Sequence, residues 1–352
     1  MIRVVVAEDS LTTRELLVEI LESDPEIRVV GQATNGAEAV ELVARLRPDL
    51  VTMDVHMPVM DGFTATKEIM VRVPTPILIV SASARGRDVE LSLDAIRAGA
   101  LMVVTKPDDP RSARFDGRRD ELVAMAKAMA EVKVVRRWNG VRAASPPAPR
   151  VPAGARARLV AIAASTGGPA ALQRVFSGLP GSLEAPIVCV QHIAAGFVGG
   201  LADWLNASCD LRVKVAEHGE PLSARTVYLA PDDRHLGVGA GNTCAVVASP
   251  PINGFRPSGT HLFDSAAAAY GASLVALILT GMGSDGVEGL RAVKRAGGRV
   301  IAQDEASSVV YGMPREAALA GVVDAVLAID DIPLHVATLV RGGPRADTHP
   351  PR

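Results

Sequence analysis

Short apolar runs alternate along this chain with amphipathic stretches of helical length, and most of the apolar runs stop abruptly at a polar or small residue. Ile2 to Ala7 is the first run and ends at Glu8-Asp9-Ser10. Leu11 to Ser23 follows, with Leu16, Leu17, Ile20 and Leu21 on one helical face. Arg28 to Ala33 predicts a second strand ending at Asn35-Gly36, and Ala37 to Leu46 a second helix. Leu50 to Asp54 puts an acid at the end of a third strand, and Pro76 to Ser81 a hydroxyl at the end of a fourth. Leu101 to Thr105 ends a fifth at Lys106-Pro107, and Asp120 to Val135 reads as a closing helix. Strand alternating with helix predicts an α/β, doubly wound parallel sheet.

The pattern then breaks and restarts. From Lys133 to Arg158 there are seven basic residues, no acids, and the run Ser145-Pro146-Pro147-Ala148-Pro149. Such a stretch cannot build a core and reads as a semi-extended tether, its charge either docked on an acidic face or merely solvated. The expected division is a domain over 1–130, a linker over 131–157, a second domain over 158–342 and a tail over 343–352. In the second domain Leu159 to Ala164 is a buried-strand run that stops at Ser165-Thr166-Gly167-Gly168-Pro169. Ala170 to Leu179 follows as a helix, Pro186 to Val190 as a strand leading into Gln191-His192, and Phe197 to Ala207 as a helix. Val213 to Asn253 is rich in Gly, Pro and Val and predicts short strands and hairpins, including Thr226 to Pro231. Ser265 to Gly271 is helical, and Leu274 to Thr280 is a fully buried strand followed by Gly281-Met282-Gly283-Ser284-Asp285-Gly286. The helix Gly289 to Ala296 and the strand Arg299 to Gln303 close the pattern, which again predicts a doubly wound parallel sheet.

Composition narrows the function classes. The 352 residues suffice for about two domains with cores of their own. Apolar residues are 48% of the chain and aromatics 3%, so the cores should be Val, Leu, Ile and Ala. A formal net charge of −2 gives no electrostatic case for nucleic acid or for a polybasic membrane binder. Cys189, Cys209 and Cys244 are widely spaced and form no CxxC pair, which reads as reduced thiols. The chain opens on a strand rather than a leader, and no uncharged apolar run approaches the roughly 20 residues that span a bilayer. The expected location is the cytoplasm.

In a parallel sheet the strand ends meet at one crevice. Glu8, Asp9, Asp54, Ser81 and Lys106 therefore converge from four strands. Any one of these acids alone would be a solvated side chain at a strand end. Gathered together they repel one another unless a hard cation lies between them, and Mg²⁺ suits oxygen ligands. A lysine and a hydroxyl beside them are what a phosphoryl group would need. The pattern resembles the receiver domain of two-component response regulators, which has a flavodoxin-like fold. That resemblance implies phosphorylation of Asp54, with Mg²⁺ held by Glu8, Asp9, Asp54 and the backbone carbonyl of His56. It also implies that Ser81 and Lys106 contact the phosphoryl group. The acid pair is Glu-Asp rather than the commoner Asp-Asp, and Val103 stands where the family's aromatic switch residue is usual, which argues against an aromatic flip.

In the second half, buried strands lead into Ser165, His192 and Asp285. A serine needs a base to become a nucleophile, and the base needs an acceptor to fix its tautomer. Each residue also has a structural reading: Ser-Thr-Gly-Gly as a capped βα turn, His192 as a core histidine, and Gly-Ser-Asp-Gly as an Asx-type turn capping the next helix. His218, His235, His261 and His335 fall in loops or mixed segments and are expected at the surface. The order Ser, His, Asp excludes the usual α/β-hydrolase order, and Ala163 departs from a GxSxG elbow. No GxGxxG or P-loop is present at the strand end.

Ala164-Ser165-Thr166-Gly167-Gly168-Pro169, Gln191-His192, Leu229-Ala230-Pro231, Phe255-Arg256-Pro257-Ser258, Thr280 to Gly286 and Gln303 to Arg315 together resemble the effector domain of chemotaxis protein-glutamate methylesterases. With the receiver, the resemblance spans essentially the whole chain except the linker and the last dozen residues. It implies a Rossmann-like catalytic domain with Ser165 as nucleophile, His192 as general base and acid, and Asp285 as orienting carboxylate. The backbone N–H of Met282, with Thr166, would serve the oxyanion, and no cofactor is needed for the ester chemistry. The implied substrates are glutamate γ-methyl esters and certain glutamines of chemoreceptors, and the implied phosphodonor is a chemotaxis histidine kinase. An unphosphorylated receiver would hold the activity down. Two departures stand out. Position 163 is usually Gly, and Gly259-Thr260-His261 replaces an apolar-acidic run, a change expected to bear on the substrate groove or the domain interface. The competing reading is a non-catalytic, phospho-dependent adaptor. A DNA-binding regulator is disfavoured, because the output half is neither basic nor a short helix-turn-helix.

Overall fold

The structure, a computed structural model, describes residues 1–81, 87–107, 110–112, 115–132 and 155–342. Residues 133–154 of the predicted linker and all of the predicted tail lie outside the described residues. The chain divides into two compact units, Met1–Val141 with His192–Trp204 and Arg142–Gln191 with Leu205–Arg352.

The N-terminal half alternates strand and helix: its five strands fall on the predicted apolar runs, and two helices, 62–72 and 87–98, lie where none was predicted. It begins β1 (Ile2–Ala7), α1 (Leu11–Glu22), β2 (Ile27–Ala33), α2 (Gly36–Leu46) and β3 (Leu50–Met53). It continues α3 (Gly62–Arg72), β4 (Ile77–Ser81), α4 (Arg87–Ala98), β5 (Met102–Thr105) and α5 (Phe115–Ala130). The five strands form one parallel sheet in the order β2-β1-β3-β4-β5. Val4, Val5, Val6, Leu50, Val51, Ile77, Leu78 and Ile79 are fully buried, as expected of strands covered on both faces. Ser10, Asn35 and Asp61 cap α1, α2 and α3, their side-chain oxygens accepting from the N–H groups of Thr13, Glu38 and Thr64. Chain direction across the sheet reverses between β1 and β3, so the loops after these strands bound the crevice. Helix α5 starts five residues ahead of the predicted Asp120. Its first turn is charged, with Arg119 paired to Asp116 at 3.1 Å, and carries no apolar period to announce it.

The C-terminal half begins β6 (Leu159–Ala164), α6 (Gly168–Gly178), β7 (Ile187–Gln191), α7 (Val198–Asn206), β8 (Arg212–Val215), β9 (Thr226–Leu229), β10 (His235–Gly239) and β11 (Thr243–Val247). After these come α8 (Gly259–Tyr270), β12 (Leu274–Ile278), α9 (Val287–Arg295), β13 (Arg299–Gln303), α10 (Met313–Leu319), β14 (Ala325–Leu327) and α11 (Ile332–Arg341). Seven strands make a parallel sheet in the order β14-β13-β12-β6-β7-β9-β8, with β6 at its centre. The prediction of hairpins across 213–253 holds only for β10 and β11, which pair antiparallel on their own. Strands β8 and β9 instead join the main sheet in parallel, β9 pairing with β7 and β8 adding to the outer side of β9 as the edge strand. Three aromatic side chains, Phe176, Phe197 and Phe263, are among the largest fully buried groups, so the cores are not aliphatic alone.

Helix α8 starts at Gly259, six residues before the predicted Ser265. Gly and Thr are poor helix formers, and this first turn is held by tertiary contacts described below. The expectation of surface histidines fails outright for His235, while His261 and His335 are half-buried. His235 is fully buried on β10, and its ring lies 4.9 Å from that of His261 on α8. Its Nε2 is 3.0 Å from the Pro250 carbonyl, which only an N–H can satisfy.

Candidate active site and acidic pocket

Ser165 follows directly on the central strand β6, whose residues from Leu159 to Ala164 are all fully buried. The turn after it is tightly determined. Ser165 N–H donates to the Thr280 carbonyl at 3.0 Å, and the Ser165 carbonyl accepts from Gly168 N–H at 2.8 Å and from Gln191 Nε2 at 2.8 Å. Gly167 makes the reversal in the left-handed region at φ +74°, and a Cβ there would meet the Val309 side chain at 2.5 Å. The turn leads into α6 with Pro169 in its first turn, where the missing proline N–H costs the helix no hydrogen bond. Gly281 lies against the serine from the other side: a Cβ at 281 would be 2.6 Å from Ser165 Cβ.

The 280–283 segment is strapped in place by its own network. Gln303 Oε1 accepts from Thr280 N–H at 2.8 Å, and Thr280 Oγ1 donates to the Thr166 carbonyl at 2.9 Å. Gly281 N–H donates to Val310, and its carbonyl accepts from Met313 N–H at 2.8 Å. Thr166, Thr280 and Gln303 are all buried, whereas Met282 is exposed between Gly281 and a left-handed Gly283. Gln303 and Thr280 escaped the sequence reading. A buried Gln at the end of an apolar strand was the one signal that could have found them.

Ala164 of β6 is in register with Gln191 of β7, and in the chain Ser165 follows the first and His192 the second. His192 is half-buried. Asp285 is buried after β12, and its carboxylate accepts from Ser258 Oγ at 2.7 Å, Gly259 N–H at 2.6 Å and Thr260 N–H at 3.2 Å. Three donors to a buried carboxylate fix its position, each hydrogen bond contributing about 1.5–3 kcal/mol. The Asx-turn reading is thereby corrected: the Asp285 carboxylate accepts from the first turn of the distant α8, while α9, the next helix, starts at Val287 after Gly286 and has no side-chain cap. Gly259 and Thr260 are buried beside Asp285.

At the other crevice Glu8, Asp9 and Asp54 each bring a carboxylate oxygen within 4.8 Å of the others. Lys106 Nζ bridges two of them, 2.7 Å from Glu8 and 2.9 Å from Asp54. Burial raises the Glu8 carboxyl above its ordinary value, aided by the Asp54 charge and opposed by Lys106. For Lys106 burial acts to lower the pKa, but the Asp54 and Glu8 carboxylates outweigh it and hold the ammonium above its ordinary value. The donors are all hard oxygens around a crowded negative charge, which fits Mg²⁺. Arg14, itself buried, donates to the Glu8 carbonyl at 2.8 Å and the Asp9 carbonyl at 3.3 Å and so fixes the acidic turn. Asp54 is reached closely by Gly62, where a Cβ would fall 2.0 Å from the Asp54 carbonyl oxygen. Ser81 is buried at the end of β4, and its carbonyl accepts from Lys106 N–H at 2.8 Å. His56 is exposed in the loop after β3, and Val103 is buried in β5.

A 2-1-3-4-5 parallel sheet with an acidic, lysine-bridged pocket, joined to a doubly wound domain with a serine at its central strand end, defines a response regulator with an effector domain of hydrolase type. The family comparisons are specific. Residues 160–336 match the CheB methylesterase model, and residues 4–114 the response regulator receiver domain. The chain belongs to the CheB methylesterase family. It is 54% identical over 348 residues to "Protein-glutamate methylesterase/protein-glutamine glutaminase 4" of Myxococcus xanthus (strain DK1622), covering 97% of this chain and 98% of that one. It is 54% identical over 342 residues to the protein numbered 3 of the same name in Anaeromyxobacter dehalogenans (strain 2CP-C), with 97% and 100% covered. The crystal structure of the Thermotoga maritima CheB methylesterase catalytic domain is 41% identical, with TM-score 0.51 over 52% of this chain and 98% of that one. No helix among the described residues is long and apolar enough to cross a membrane.

Proposed function

We propose that this chain hydrolyses glutamate γ-methyl esters on chemoreceptors, deamidates particular receptor glutamines, and does both under the control of its own receiver. The receiver spans 1–130 and the catalytic domain 158–342 in this reading, and the protein works in the cytoplasm. Ser165 Oγ attacks the ester carbonyl while His192 takes its proton, and Asp285 orients and stabilises the resulting imidazolium. His192 returns the proton to the departing methoxide, which leaves as methanol. Water, deprotonated by His192, then attacks the acyl-enzyme and frees the glutamate and the serine. With a glutamine, the same steps release ammonia. The Met282 N–H and Thr166 serve the oxyanion, and the strapped 280–283 segment supports that assignment, since such donors work only when preorganised.

A histidine kinase supplies the phosphoryl group to Asp54. Glu8, Asp9, Asp54 and the His56 backbone carbonyl would hold Mg²⁺, which when bound offsets the charge of the phosphoryl oxygens. Ser81 and Lys106 contact that group from the ends of β4 and β5. The observation that carries the reading is the seat of Ser165: a buried, doubly anchored serine at the end of the central strand, closed in by Gly281.

The test is methanol release from methylated receptor by wild type, Ser165→Ala and Asp54→Asn, each with and without a small phosphodonor and Mg²⁺. Release that rises with phosphodonor in wild type, vanishes in Ser165→Ala and is unstimulated in Asp54→Asn is expected. Wild-type release by Ser165→Ala would overturn the catalytic assignment, and full stimulation of Asp54→Asn the regulatory one.

A further inference from the structure

The donors that hold Asp285 come from one turn at the start of α8. Ser258 is the N-cap, and its Oγ both donates to Asp285 Oδ1 at 2.7 Å and accepts from Thr260 N–H at 3.1 Å. Gly259 N–H donates to the other carboxylate oxygen at 2.6 Å. Thr260 Oγ1 accepts from Gly286 N–H at 3.0 Å, which ties the residue after Asp285 to the same turn. The carboxylate is thus locked to α8 on both of its oxygens.

Gly259 contributes its N–H and no side chain. A Cβ at 259 would lie 2.9 Å from Ala163 Cβ, 3.3 Å from Asp285 Oδ2 and 3.5 Å from Gly286 Cα. The methyl of Ala163 cannot swing aside, because it is fixed rigidly to the backbone. That backbone is the centre of the sheet, where Ala163 is in register with Ile278 of β12 on one side and Val190 of β7 on the other. Ala163 is fully buried and stands two residues before Ser165 on the same strand.

We propose that Gly259 is a positioning residue for the hydrolase, coupled to Ala163: the space between the nucleophile's strand and the seat of Asp285 holds one methyl and not two. The inference rests on the reading of Asp285 as the carboxylate that orients His192. A side chain at 259 would push the seat of Asp285 off the strand that carries Ser165, or push that strand off the seat. Either movement separates groups that have to act in one geometry, and displacements near 1 Å in an active site cost on the order of a hundredfold in rate.

The experiment is a double-mutant cycle of Gly259→Ala and Ala163→Gly in the full-length protein, with Ser258→Ala and Asp285→Asn alongside. Methanol release from methylated receptor gives kcat and KM, the pH profile of kcat/KM gives the acid limb, and thermal unfolding reports folding. Gly259→Ala should lower kcat by about ten- to a hundredfold with KM within about twofold. Its acid limb should move to lower pH, since an imidazolium whose carboxylate is displaced is less stabilised. Adding Ala163→Gly should restore most of kcat and return the acid limb, a recovery that general loss of packing would not produce. A double variant no better than Gly259→Ala, or a Gly259→Ala protein with wild-type kcat and acid limb, overturns the proposal. If Gly259→Ala fails to fold, Ser258→Ala carries the test without adding an atom: a KM-sparing loss of kcat supports the seat, and wild-type kcat refutes it. Asp285→Asn separates the two claims, because a wild-type rate in that variant removes the orienting role itself.

Discussion

Replacing Gly281 by alanine tests whether Ser165 is held by geometry or simply sits in a turn. The added Cβ would lie 2.6 Å from Ser165 Cβ, 3.0 Å from Ser165 N and 2.5 Å from Met313 Sδ, where ordinary contact begins at 3.4 Å. The methionine sulfur can turn away, since its side chain is flexible. The serine cannot: its N–H is bonded to Thr280 and its carbonyl to Gly168 and Gln191. Gly281 cannot retreat easily either, because its N–H is bonded to Val310 and its carbonyl takes N–H groups from Gly312 and Met313. The shortfall of roughly 1 Å must therefore be met by moving Ser165 or by breaking the strap, and a displacement of that size costs about a hundredfold in kcat. Overpacking of a buried site costs about 1–3 kcal/mol, and about 2–4 °C in melting temperature per kcal/mol for a domain of this size. Steady-state methanol release and thermal unfolding measure both. A Gly281→Ala protein with kcat within twofold of wild type and an unchanged melting temperature would refute the reasoning.

Other consequences are as direct. Lys106→Met leaves Glu8 and Asp54 facing each other without the cation between them, so the Glu8 carboxyl, already raised by burial, rises further. Stimulation by phosphodonor should vanish, and Mg²⁺ titration calorimetry should depend more steeply on pH than in wild type; retained stimulation counts against the pocket. His261 is held below the ordinary histidine value by burial and by the His235 ring. An unfolded chain then takes up a proton that the folded protein refuses, so the stability contribution of neutral His261 is complete above about pH 6.5 and is lost as pH falls through the folded pKa. Urea unfolding at pH 7.5 and 5.5 should show a larger loss for wild type than for His261→Gln, the depressed His335 adding equally to both; equal losses exclude the effect. Burial pushes the Cys244 thiol up to about 12 and raises Cys189 further, leaving half-buried Cys209 the most accessible. A thiol reagent at pH 8 should label at most Cys209 in the native protein and all three cysteines in urea, and rapid native labelling of Cys189 would contradict its burial.

The amino-acid pattern by itself determined the alternation of strand and helix, because strands buried on both faces must be continuous apolar runs and their ends must be marked by polar or small residues. That is why Asp54, Ser165 and Lys106 could be located without coordinates: each is the first residue after such a run. What local pattern could not supply was pairing between distant segments. Strand β9 reads like a hairpin strand, and only the sheet shows it pairing in parallel with β7. The first turn of α8 has weak helix propensity and exists because Asp285, 26 residues away from Gly259, accepts its N–H groups. His235 is polar in sequence and fully buried in space, where β10 and α8 bring its ring against that of half-buried His261. Ala163 and Gly259 look in the chain like two separate departures from the family pattern. The tertiary structure makes them two sides of one contact, because van der Waals exclusion between residues far apart in sequence is decided only when the sheet and the helix are brought together.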